Sequence, residues 1–261
     1  MLPRERIRAA IERRAAAGEP ALVAFVTAGY PRPDDFIMAL EAISSEADAV
    51  EIGVPFSDAM ADGVTIKRAS HAAIANGVSL SWILDRVAER SAPGDTPLLL
   101  MSYLNPLLAF GYERLAKRAL EAGVAGFIVP DLPYEEGAPL HAALEPAGLA
   151  LVQLVTPATP AARVQTLCAA SEGFVYAVTR AGITGDAALP AELAEYLDAV
   201  KAVSPIPVCA GFGVRRAEQV ALIGAHADGV IVGSALVEAL ERLDERGEDP
   251  AAFLRALRAG R

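Results

Sequence analysis

The chain has 261 residues, a formal net charge of -10 and a hydrophobic share of 53%. That balance excludes a disordered segment and a general binder of nucleic acid or anionic membrane, because such proteins spread basic residues over one face. No run approaches the ~20 apolar residues of a membrane span, the charged start MLPRERIRAAIERRAAAGEP has no signal-peptide core, and the two cysteines, Cys168 and Cys209, read as buried reduced thiols, so the expected location is cytoplasmic.

The elements are predicted in chain order as follows. A charged helix over Pro3 to Ala17 precedes a strand at Ala21 to Thr27, a helix at Asp34 to Glu46 and a strand at Asp48 to Val54. A helix at Leu80 to Arg90 leads to a strand at Pro97 to Tyr103, then a helix at Tyr112 to Ala122 and a strand at Ala125 to Pro130. Next come a helix at Glu135 to Ala147, a strand at Leu149 to Val155, a helix at Pro160 to Ala170 and a strand at Gly173 to Thr179. The last third holds a helix at Pro190 to Val203, a strand at Pro205 to Gly211, a helix at Arg215 to Gly224, a strand at Asp228 to Gly233 and a helix at Ala235 to Arg246.

Short Val/Ile/Leu runs alternating with helices indicate parallel strands covered on both faces. Eight such pairs fit a closed (β/α)8 barrel of the TIM type, with an extra N-terminal helix, and barrels of this kind span about 250 residues as one unit. Residues 1–261 are therefore expected to form one catalytic domain, with no composition shift to mark a boundary. An open doubly wound sheet is the main rival, and the GxGxxG fingerprint it would carry is missing.

In a barrel the chemistry sits at the C-terminal ends of the strands. Within VEIGVPFSDAMADG, alternation puts Val50, Ile52 and Val54 on one face and Ala49, Glu51 and Gly53 on the other. The larger apolar set suits the helix layer, so Glu51 is expected to point into the barrel. Desolvation there raises its pKa toward neutrality, as a group that both gives and takes protons requires. Asp58 and Asp62 follow in what reads as a loop. Three glycine-bearing loops close the chain: RAGITG, AGFGV and GSA. The last two are expected to open directly into helices whose first amides are free for a phosphate. The lysines, Lys67, Lys117 and Lys201, lie outside every strand run, which argues against a Schiff-base aldolase. His71, His141 and His226 are scattered, and no spacing suggests a metal site. What remains is carboxylate acid/base chemistry on a phosphorylated small molecule.

The stretch VEIGVPFSDAMADGVTI, with FVTAGYP, MSYLNPLLAFG, FIVPDLPYEE, YAVTRAGITG, AGFGV and ADGVIVGSALV, resembles the tryptophan synthase alpha subunit family over essentially the whole chain. That resemblance implies a barrel that cleaves indole-3-glycerol phosphate to indole and glyceraldehyde 3-phosphate without cofactor or metal. It implies that Glu51 protonates indole C3 and moves the glycerol hydroxyl proton, and that Asp62 hydrogen-bonds the indole N-H. It further implies an indole pocket of Phe25, Tyr103, Ile128 and Tyr176, and a phosphate cradle of Gly185, Phe212, Gly213, Gly233 and Ser234. The implied partner is a beta subunit that carries pyridoxal phosphate. The family usually reads SDPxADGP followed by Ile-Gln, where this chain has Ala59, Val64 and Lys67 in place of the two prolines and the glutamine. A more mobile loop is the expectation. The alternatives are a free-standing lyase, a non-catalytic phosphate-sensing subunit and another phosphate-binding barrel such as an isomerase.

Overall fold

The computed structural model describes residues 1–90, 94–178, 189–211, 213–247 and 249–259, for 243–246 the backbone alone. Among these residues eight parallel strands close into a barrel in the order of the sequence. They are β1 (Ala21–Thr27), β2 (Ala49–Gly53), β3 (Leu98–Met101), β4 (Val124–Ile128), β5 (Ala150–Val155), β6 (Val175–Val178), β7 (Val208–Gly211) and β8 (Gly229–Val232). The barrel shuts where β1 pairs with β8, Ala21 standing opposite Gly229.

The helices are α1 (Pro3–Ala16), α2 (Phe36–Glu46), α3 (Val64–Ala75), α4 (Leu80–Ala88), α5 (Leu104–Phe110), α6 (Tyr112–Glu121), α7 (Ala138–Leu144), α8 (Ala161–Ala170), α9 (Ala191–Val203), α10 (Ala217–Gly224), α11 (Ser234–Arg246) and α12 (Ala252–Ala259). Three of them, α3, α5 and α12, were not expected from the sequence. Helix α3 follows Gly63, which offers no side-chain cap, and it buries only the small residues Ala69, Ser70 and Ala73. Helix α5 is seven residues long and contains Pro106, so its pattern reads as a turn. The expected helix at 135–147 is α7 alone, flanked by single 3-10 turns at Tyr134–Glu136 and Glu145–Ala147.

Alternation along each strand divides the core in two. Leu22, Ala24, Val26, Val50 and Ile52 pack outward against the helices. Ala21, Val23, Ala49, Leu99, Ile128, Val152 and Ile231 fill the barrel interior. Helix α1 plugs the N-terminal end of that interior with Ile7 and Ile11, both fully buried. The face assignment for β2 is therefore as expected, with Val50 and Ile52 outside and Ala49 inside.

Carboxylates that precede the strands fix the bottom of the barrel. Asp48 accepts the Leu22 amide at 2.8 Å, Asp228 accepts the Val208 amide at 2.9 Å and Glu172 accepts the Leu151 amide at 2.9 Å. Each satisfies a donor on a neighbouring strand where the ladder has run out. Asp48 also receives Arg14 from α1 and Arg258 from α12, at 2.9 and 2.8 Å.

Candidate active site

Glu51 lies in the middle of β2, in register with Phe25 of β1 and Leu99 of β3. It is fully buried, and neither carboxylate oxygen has a hydrogen-bond partner among the described residues. Among the described residues no cation compensates it, and burial pushes its pKa from the ordinary 4.5 up to about 8. Glu51 is thus a neutral acid near pH 7, able to donate a proton. Its charged form would act on Tyr176 and Cys209 across the interior, and it holds both of those groups above their usual ranges in addition to their burial.

Above Glu51 the mouth opens toward solvent. Phe25, Thr27, Gly53, Asp62, Ser102 and Tyr103 line one cavity at the C-terminal ends of the first strands. The absence of a side chain at Gly53 makes room for Phe25, because a Cβ there would stand 2.5 Å from the ring. On its other side the same ring passes 3.8 Å from the Cβ position of Gly233, so Phe25 spans from the carboxylate strand to the start of α11. Thr27 is 2% exposed, and its hydroxyl has no partner among the described residues.

Asp62 ends the β2 loop, one residue before the Gly63 cap of α3. Burial raises its pKa, while a hydrogen bond from the Tyr103 hydroxyl and the charge of Lys67 pull it back down. The Tyr103 hydroxyl also accepts the Ala61 amide at 2.9 Å, so one side chain fixes two consecutive residues of the loop. Its own pKa is pushed up to about 12, chiefly by burial and then by the Asp62 charge, and it stays protonated. Lys67, which departs from the family's glutamine, therefore contributes to the state of Asp62. Within the altered loop Ala59 is buried, while Met60 and Val64 are 85% and 82% exposed.

The sequence-predicted residues fall into groups. Phe25, Tyr103 and Asp62 share the mouth cavity. Ile128 is buried in the interior cluster, with Tyr176 and Met101 packed against that cluster. Tyr176 reaches toward β7, its hydroxyl 3.0 Å from where a Gly211 Cβ would sit, and the charges of both Glu51 and Asp62 act on it. Gly233 precedes α11, Ser234 is its first residue, and Gly213 takes a φ of +65°, a conformation that favours glycine. Gly185 and Phe212, and with them the whole RAGITG loop, lie outside the described residues.

One expectation is corrected. The loop after β7 does not open directly into a helix, because α10 begins only at Ala217. The amides of Arg215 and Arg216 are instead taken by the Gln219 side chain, at 2.8 and 3.1 Å. Thr27, Ser102 and the carboxylates of α11 were missed in the sequence: threonine and serine are ordinary strand-end residues, and a glutamate on an amphipathic helix reads as a solvated face. Among the described residues no group of three His, Cys, Asp or Glu could hold a metal ion, and no helix is long and apolar enough to cross a membrane.

The family model described as tryptophan synthase alpha chain matches residues 11–259. The tryptophan synthase alpha chain of Nitratidesulfovibrio vulgaris (strain DP4) is 43% identical over 253 residues, covering 96% of this chain and 97% of that one. The Bacillus cereus (strain AH820) protein of the same name is 42% identical over 254 residues, covering 97% and 96%. Among solved structures, tryptophan synthase subunit alpha from Legionella pneumophila str. Paris superposes with a TM-score of 0.88 at 35% identity, covering 97% of both chains. A tryptophan synthase structure from Mycobacterium tuberculosis gives 0.88 at 38% identity, again with 97% of both chains covered. The closed barrel with its buried acid, taken with these matches, defines a β/α-barrel lyase of amino-acid biosynthesis. The chain belongs to the tryptophan synthase alpha chain family, whose reaction is the cleavage of indole-3-glycerol phosphate to indole and glyceraldehyde 3-phosphate.

Proposed function

We propose that Glu51 and Asp62 carry the cleavage. Glu51, a neutral acid inside the barrel, protonates indole C3; its carboxylate then accepts the proton of the hydroxyl on the adjacent glycerol carbon. The bond between C3 and that carbon breaks, its electron pair restores the indole ring, and the hydroxyl carbon becomes the aldehyde. The glutamate ends protonated as it began, so no external acid or base is consumed. Asp62, as a carboxylate, hydrogen-bonds the indole N-H and stabilises the positive charge that develops on the ring when C3 is protonated. Phe25, Tyr103, Ile128 and Tyr176 form the walls against the indole. Gly185, Phe212, Gly213, Gly233 and Ser234 hold the phosphate, largely through main-chain amides.

The observation that carries this reading is the isolation of Glu51: a fully buried carboxyl with no cation and no hydrogen-bond partner among the described residues has no structural task there. Residues 1–261 act as one catalytic domain in this reading. The chain works in the cytoplasm with a tryptophan synthase beta subunit, which accepts the indole. Pyridoxal phosphate belongs to that subunit, and the lysines of this chain give it no seat: Lys67 and Lys117 are exposed on helices and Lys201 is paired with Asp228. The test is indole release by the purified chain. Glu51→Gln is expected to lower kcat by about 10²- to 10⁴-fold with substrate binding retained, and a variant that keeps most of its turnover would end the assignment.

A further inference from the structure

The side chain of Glu238, on α11, sits where three separately built parts of the mouth meet. It lies one helical turn beyond Ser234 at the start of the same helix. Its two oxygens take the Arg215 guanidinium at 2.7 and 3.2 Å, and Arg215 follows Gly213 by two residues. The Thr65 hydroxyl donates to one of the same oxygens at 3.1 Å, from the first turn of α3 and three residues after Asp62. One turn further along α11, Glu241 repeats the arrangement: it pairs with Arg68 of α3 and accepts the Tyr30 hydroxyl from the β1 loop. Arg215 and its hydrogen bonds hold Glu238 below the usual carboxylate range, so it is ionised whenever the enzyme works.

We propose that Glu238 is a positioning residue for the cleavage reaction, tying the turn that carries Asp62 to the loop that carries Gly213 and so fixing the distance between the indole and phosphate ends of the substrate. The proposal rests on the roles given above to Asp62 and to the phosphate loops. Glu241 ties α11 to α3 as well, but Glu238 is the carboxylate that also reaches the β7 loop, through Arg215. Thr65 and Glu238 are 173 residues apart in sequence, and one carboxylate spans that separation. Its chemical sense follows from the reaction. Indole and phosphate can each bind in its own subsite when the two subsites drift apart, but C3 then no longer meets the Glu51 proton in line. Loss of the bridge should therefore act on turnover rather than on binding, because misplacement of bound groups lowers the reactive fraction.

The experiment measures kcat and KM for indole-3-glycerol phosphate with Thr65→Val, Thr65→Ser, Glu238→Gln and the Thr65→Val, Glu238→Gln double variant, alongside Asp62→Asn. Thr65→Val and Glu238→Gln are each expected to lower kcat by about three- to tenfold with KM within about twofold, a modest loss because the ion pair is partly solvated. The double variant should fall no further than the worse single one, the mark of a shared interaction. Thr65→Ser, which keeps the hydroxyl, should recover wild-type turnover. Unchanged kcat in both single variants, losses that multiply, or a rise in KM alone would each overturn the bridge. Full turnover in Asp62→Asn would remove the reading on which the proposal rests; full turnover in Thr65→Val, with Asp62→Asn inactive, would remove the bridge alone.

Discussion

Glu51→Gln should stabilise the protein, and by an amount that depends on pH. The native carboxyl titrates at about 8, against 4.5 without burial, and the shift comes from burial alone. Between those two values the unfolded chain has lost a proton that the folded chain keeps. Stability therefore falls as pH rises through this window, by about 1.4 kcal/mol per unit from this one group. Below the window both states are protonated, and above it both are ionised, so the slope disappears at each end. Glutamine occupies nearly the same volume and does not titrate. The stability advantage of Glu51→Gln should thus be small near pH 5, grow steadily, and level off above pH 8 at about 3–5 kcal/mol. Urea denaturation of both proteins at pH 5, 6, 7, 8 and 9 measures it directly. Parallel stability curves would mean that Glu51 is ionised in the folded state or compensated by a cation, and the proton-donor argument would fail with them.

Three further outcomes follow from the mouth. Val64 occupies the first position of α3 and is 82% exposed, and the preceding Gly63 has φ −73° and ψ 169°, which a following proline accepts; Val64→Pro should raise stability by about 0.4–1 kcal/mol and slow proteolysis of the loop, and equal cleavage rates would refute the expected mobility. Tyr103→Phe removes the hydroxyl that lowers the pKa of Asp62, so the acid limb of the kcat/KM profile should move to higher pH; an unmoved limb would show that Asp62 does not need to be ionised. Thr27→Val removes a buried hydroxyl without a partner among the described residues and should stabilise the free protein by about 1–3 kcal/mol in urea melts; a loss of stability would mean the hydroxyl is satisfied.

The barrel was legible because buried parallel strands write themselves as unbroken apolar runs, and β1 was placed at its observed ends. Glu51 was legible for the same reason, since one carboxylate interrupts such a run and alternation tells which way it points. Helix α3 was not: Asp62 and Gly63 announce a turn, and Ala69 and Ala73 bury too little to leave a stripe. Helix α12 was passed over although Leu254 and Leu257, three apart and both buried, carry a helical spacing. The set of contacts around Glu238 was hidden differently, because an ion pair between distant segments leaves no local pattern. Sequence order also misplaced the start of α10, where Gln219 turns back to cap Arg215 and Arg216.

Closing the barrel through β1 and β8 has a consequence for the way the chain is made. Strand β1 leaves a ribosome well before its partner along one edge, β8, which follows about 200 residues later. At ordinary elongation rates of about 5–20 residues per second, the edge of β1 waits roughly 10–40 seconds for its neighbour. Ala21–Thr27 is uncharged and, up to Thr27, apolar, the kind of open edge that recruits strands from other chains. Meanwhile α1 can already cover the bottom of the nascent sheet, while Asp48 waits for Arg258, 210 residues further on. The newborn polypeptide is thus most exposed to self-association just before β8 emerges, and α1 is a shield made ahead of β1.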